Sequence, residues 1–184
     1  IDDILRSGVM LPLAAVLEGL GFETVYCAGE LDADGPPGEL VPAMHFDDPQ
    51  AAALGKRAFS GDRPDPGLER DIHDQAARLH AELDRVVDRV RPDLLVMQNI
   101  WAIPMQLPLA EAAAGLADGR GLPCLSHEHD YWWERDRFQS HCIAGFLDTY
   151  FPFHARRVRH LCINSLARRE LCARRGLDAT VVPN

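Results

Sequence analysis

Apolar residues crowd the stretch from Leu11 to Leu20 and give way at Gly19-Leu20-Gly21, the pattern of a helix closed by a glycine stop. Glu23 to Ala28 reads as a strand, Gly29 to Gly38 as a loop, and Leu40 to Phe46 as a second short strand. Asp47 to Gly67 is broken by Pro, Gly and Ala and holds a short helix at Pro49 to Ala58. The clearest period follows. Ile72, Ala76, Leu79, Leu83, Val86, Val87 and Val90 recur at three- and four-residue steps, the stripe of a long helix over Leu68 to Val90 that ends at Arg91-Pro92. Leu94 to Met97 is a short unbroken apolar run, as in strands buried on both faces of a parallel sheet. The alternation repeats with a helical Leu107 to Ala117, a break at Asp118 to Gly121 and a strand at Leu122 to Ser126. Pro152 to Val158 and then His160 to Ile163 repeat it again. Ser165 caps a helix running to Arg174, Gly176 ends it, and Thr180 to Val182 forms a last strand.

Strands alternating with helices predict an α/β fold: a three-layer Rossmann-like domain with a mainly parallel sheet flanked by helices and right-handed crossovers. At 184 residues, one such domain with a sizeable core accounts for residues 1–184. Ligands of these sheets bind at the carboxyl ends of the strands, which singles out Gln98-Asn99, His127 to Trp133 and Asn164-Ser165.

Composition narrows the partners. A net charge of -9 argues against binding nucleic acid or an anionic membrane. No apolar run reaches the roughly 20 residues of a membrane span, and the opening Ile1 to Arg6 lacks a signal-peptide pattern, so a cytoplasmic protein is expected. The five cysteines are odd in number and never form C-x-x-C, so reduced thiols are expected, with Cys27, Cys124 and Cys162 inside strands as small buried hydrophobes. The tail is locally basic through Arg156, Arg157, Arg159, Arg168, Arg169, Arg174 and Arg175, which reads as a solvated face or, alternatively, as a positive wall towards a phosphorylated ligand.

The densest polar and aromatic patch is Ser126-His127-Glu128-His129-Asp130-Tyr131-Trp132-Trp133-Glu134-Arg135, where a strand runs out. Side chains alternate along an extended segment, so His127 and His129 share a side and, with Glu128 or Asp130, could ligate a metal. Alternatively, one histidine is a hydrogen-bond partner or dipole beside a reacting sugar, with the aromatic rings walling the cleft. No G-x-G-x-x-G, G-x-x-x-x-G-K-[ST] or G-x-S-x-G occurs, which withdraws the usual support for dinucleotide, P-loop and serine-hydrolase chemistry.

Four segments together resemble the N-terminal, acceptor-side domain of the GT-B glycosyltransferases, in particular retaining family 4. They are Leu11 to Val25; Arg91-Pro92-Asp93-Leu94-Leu95-Val96-Met97-Gln98-Asn99, with Gln98 where the family commonly has histidine; Gly121-Leu122-Pro123-Cys124-Leu125-Ser126-His127-Glu128-His129-Asp130-Tyr131-Trp132; and Cys162 to Asn184, similar to the helix and V-[IV]-P-N that close the family's first lobe. The resemblance implies transfer of a sugar from a nucleotide-diphosphate-sugar donor to an acceptor hydroxyl with retention. The acceptor would be a small molecule, glycan or lipid, and no metal or other cofactor would be needed. It assigns His129 as catalytic and Asp130, Tyr131, Trp132, Asn99 and Arg135 to substrate binding. In the family a first strand and glycine loop come before such a helix and a C-terminal donor-binding lobe completes the enzyme; residues 1–184 are expected to lack both. Two rivals are a non-catalytic Rossmann-like binding module and a metal-dependent hydrolase using His127, His129 and Asp130.

Overall fold

The structure is a computed structural model that describes residues 10–183 except 33, 34 and 37. The readings made on Ile1 to Arg6 and on Asn184 lie outside the described residues. Helix α1 (Met10–Gly19) is followed by strand β1 (Tyr26–Ala28), which pairs in parallel with β2 (Gly38–Leu40). Helices α2 (Pro49–Ala58) and α3 (Leu68–Val90) lead to β3 (Leu95–Gln98). From there α4 (Leu107–Gly119), β4 (Cys124–Glu128), α5 (Ala144–Tyr150), β5 (Val158–Cys162), α6 (Ser165–Arg175) and β6 (Ala179–Val181) alternate. Strands β3 to β6 form one four-stranded parallel sheet in sequential order. The architecture is the expected α/β, Rossmann-like layout of parallel strands flanked by helices.

The α3 stripe is buried as its period predicts, with Ile72, Ala76, Leu79, Leu83 and Val86 in the core. Gly67 at φ 99° and Arg91 at φ 52° bound the helix, and Pro92 denies it a further turn. Helix α4 is buried on nearly every side: Leu109, Ala112 and Leu116 share a core with α3, and Ala110, Ala113, Ala114 and Ala117 share one with Met97, Cys124 and Val158 of the sheet. Trp101 is fully buried and donates its indole N–H to the Ala110 carbonyl at 2.9 Å, tying the loop after β3 to α4. Cys124 and Cys162 are buried, Cys27 is half-buried, and all five thiols are free. Three of the seven tail arginines are in ion pairs, Arg168 with Asp178, Arg174 with Glu170 and Arg175 with Asp148.

Three local expectations are corrected. The strand expected over Leu40 to Phe46 ends at Leu40, and Pro42–Met44 form a 3-10 turn. Pro42 has no N–H for a ladder, while Met44 and His45 donate back to the Val41 and Pro42 carbonyls. The helix before β5 lies at Ala144–Tyr150, not at Pro152 to Val158, where residues 152–157 are irregular and Val158 already opens β5. The cap of α6 is Asn164, not Ser165: its Oδ1 accepts from the Leu166 and Ala167 amides, each at 2.9 Å.

Asp48 caps α2 in the same manner, accepting from the Gln50 and Ala51 amides at 3.0 and 2.9 Å, and its Oδ1 also lies 3.2 Å from the Gln75 amide nitrogen on α3. Asp48→Ala is expected to lower stability by about 1–2 kcal/mol in urea unfolding, with Asp48→Asn losing less.

Candidate active site at the carboxyl edge of the sheet

Parallel pairing brings the ends of β3 and β4 together, with Gln98 opposite His127. The next residue, Asn99, takes φ 56°, a left-handed conformation that asparagine tolerates better than most residues. Its amide donates to the His127 carbonyl at 2.8 Å, and its Oδ1 accepts from the His129 amide at 3.0 Å. Asn99 therefore continues the ladder one residue past the strands and holds the backbone of His129. It was expected at the substrate; what it visibly does is position.

His127 and His129 share a side, as their spacing predicts, and their rings meet edge to face with centroids 4.9 Å apart. His127 is 2% exposed, with Nδ1 at 3.1 Å from Gln98 Oε1 and Nε2 at 3.4 Å from the Val182 carbonyl. Protonation would let both nitrogens donate, yet burial dominates and pushes the pKa of His127 down. Burial also lowers the pKa of His129, assisted by His127 and opposed by Asp130. Among the described residues, His129 Nε2 is buried without a hydrogen-bond partner.

The other candidates separate into distinct roles. Asp130 is held by the Arg135 guanidinium. Trp132 is half-buried: its amide donates to the Ala102 carbonyl at 2.9 Å and its indole to the Phe151 carbonyl at 3.2 Å. Tyr131, expected on the acceptor wall, is completely buried and lies beneath the rim, stacked against Trp133 at 4.5 Å. Its hydroxyl donates to Glu128 at 2.9 Å, and burial together with the Glu128 charge pushes its pKa up. Among the described residues, no group of three or more His, Cys, Asp or Glu could hold a metal ion. The hydrolase arrangement of His127, His129 and Asp130 thus lacks a convergent ligand set.

One network was not anticipated. Glu128, fully buried at the end of β4, accepts from Ser126 Oγ at 2.9 Å, from Tyr131, and from His160 Nδ1 on β5 at 3.0 Å. His154 extends the chain, with Nδ1 at 3.3 Å from His160 Nε2. The available signal was a glutamate and a histidine within apolar strand runs; only the register, which sets Ser126 opposite His160, joins them.

No family model and no solved structure matches the chain. It is similar over nearly its whole length to two curated proteins, both glycosyltransferases. A mannosylglucosylglycerate synthase of Petrotoga mobilis is 26% identical over 180 residues, covering 95% of this chain and 40% of that protein. A mannosylglucosylglycerate synthase of Thermotoga maritima is 31% identical over 187 residues, covering 98% of this chain and 42% of that protein. The chain therefore spans about two fifths of the length of each of these relatives. Among the described residues, no helix is long and apolar enough to cross a membrane.

Two outcomes follow from this geometry. Glu128→Ala strands three buried donors and is expected to cost about 3–5 kcal/mol in urea unfolding; a loss below about 1 kcal/mol would put the network on the scale of a surface pair. His127 and His129 titrate below 6.5 when folded, so between their folded values and 6.5 the unfolded chain binds more protons. Their contribution is complete above about pH 6.5 and is lost as the pH falls. The urea midpoint should drop from pH 7 to pH 5.5, and drop less in His129→Gln.

Proposed function

We propose that this chain is the acceptor-side lobe of a retaining glycosyltransferase of the GT-B type, with His129 at the reacting centre. The observation that carries the reading is the similarity to two glycosyltransferases over nearly the whole chain, in a fold that sets His129 at the carboxyl edge of a parallel sheet. Both relatives are named for a product that is a mannosyl derivative of glucosylglycerate. The acceptor proposed here is accordingly a glucosylglycerate-like hydroxyl compound, and the donor a nucleotide-diphosphate mannose held by a second lobe. More than half the length of each relative lies outside the matched part.

In this role His129 works as a neutral hydrogen-bonding group. Burial keeps the ring uncharged near pH 7, Asn99 fixes its backbone, and His127 packs against its edge. An unsatisfied buried ring nitrogen costs about 1–3 kcal/mol, and a turn of the ring that brings Nε2 into the cleft against a sugar hydroxyl would recover it. A preorganised dipole of this kind stabilises charge developing at the sugar without reorganising during the reaction. Asp130 and Arg135 neutralise each other at the rim, Trp132 walls the cleft, and Tyr131 supports from below. Closure of the two lobes would exclude the water that otherwise hydrolyses the donor.

The test is His129→Ala in the full-length protein, supplied with nucleotide-diphosphate mannose and glucosylglycerate. Transfer is expected to fall about 100-fold or more while the unfolding midpoint stays close to that of the unaltered protein. A transfer rate near the unaltered value would remove His129 from the reaction.

A further inference from the structure

Two arginines follow His129 on the same loop, and the fold treats them differently. Arg135 is claimed by Asp130. Arg137 has, among the described residues, no carboxylate within 4 Å. Its guanidinium lies over the Phe138 ring at 4.5 Å from the centroid, and Nη2 rests 2.7 Å from Met105 Sδ. The seat itself is firmly held. Phe138 is 5% exposed and packs edge to face on Phe59 at 4.9 Å, while the Gln139 carboxamide donates to the Trp132, Trp133 and Arg135 carbonyls.

The seat also bridges the two loops that build the site. Met105 lies on the loop that begins at Asn99, Arg137 on the loop that begins at His129, and the Trp132 amide pins the two together at the Ala102 carbonyl. Arg137 is exposed, yet the desolvation its guanidinium undergoes against these neighbours, and behind it the Arg135 charge, hold its pKa below the ordinary arginine value, with Asp130 opposing. Exposed elsewhere, the Arg137 guanidinium presents unused donors outward, and a carboxylate matches its planar fork in two parallel hydrogen bonds.

We propose that Arg137 is the acceptor's carboxylate anchor: it binds the carboxylate of a glycosylated hydroxy acid and sets that acceptor's position beside His129. This rests on the acceptor reading above. Arg137 is a binding and specificity residue, because the carboxylate is distant from the bond that forms and stays charged throughout.

The experiment compares glucosylglycerate with its neutral alcohol counterpart glucosylglycerol as acceptors for the full-length protein, unaltered and as Arg137→Met and Arg137→Lys. Expected for Arg137→Met is a KM for glucosylglycerate raised about 10- to 100-fold with kcat little changed, and no change with glucosylglycerol; Arg137→Lys recovers part of the loss. Equal effects on both acceptors, or none on either, would overturn the anchor. Calorimetric binding of glucosylglycerate without donor separates this inference from the transferase reading. Arg137-dependent binding without any transfer sustains the anchor and sinks the transferase, whereas transfer that does not discriminate at Arg137 sinks the anchor alone. An unaltered protein that binds no glucosylglycerate also overturns it.

Discussion

A fully buried carboxylate at the end of the inner strand β4 is the constraint on which the site depends. Glu128 is fully buried, and an anion there is tolerable only because hydrogen-bond donors surround it. The donors come from three places: its own strand through Ser126, the loop beyond it through Tyr131, and the neighbouring strand through His160. Satisfying Glu128 therefore fixes the register of β4 against β5 and folds the following loop down onto α6, where Tyr131 packs with Ala167 and Leu171. His129 sits between Glu128 and Tyr131 in the chain, so both its flanks are held before any substrate arrives.

Above this floor the loops after β3 and β4 are joined by hydrogen bonds from backbone amides rather than by side-chain charge. Asn99 receives the His129 amide and Ala102 the Trp132 amide, and Trp101 anchors the first loop to α4. Such loops keep fixed polar groups at fixed distances, which is what binding and electrostatic catalysis both require. The side chains left over at the rim are then those with unspent capacity. His129 Nε2 has no partner and Arg137 has only a sulfur and a ring, whereas Asp130 and Arg135 cancel each other.

Much of the fold was legible in residue order. The α3 stripe, the helix at Pro49–Ala58 and the apolar runs that became β3 to β6 are local signals, each created by burial of one face or of a short segment. The errors were local as well. Pro42 ended a strand that the apolar count extended, and the seven-residue α5 was too short to show a period. In the site, the shared side of His127 and His129 followed from strand geometry, but whether Tyr131 faces solvent or the interior did not.

Residue order alone determined the class of fold, the position of the histidine segment at a strand's carboxyl end, and the resemblance to an acceptor lobe, because hydrophobic periodicity and strand ends are short-range properties of the chain. Tertiary structure decided which polar groups are spent and which are free. Glu128 reaches His160 across 32 positions and Asn99 reaches His129 across 30, through pairings that only strand register creates. Two arginines two positions apart differ for the same reason: one meets a carboxylate as the loop turns, and the other meets a methionine from a different loop.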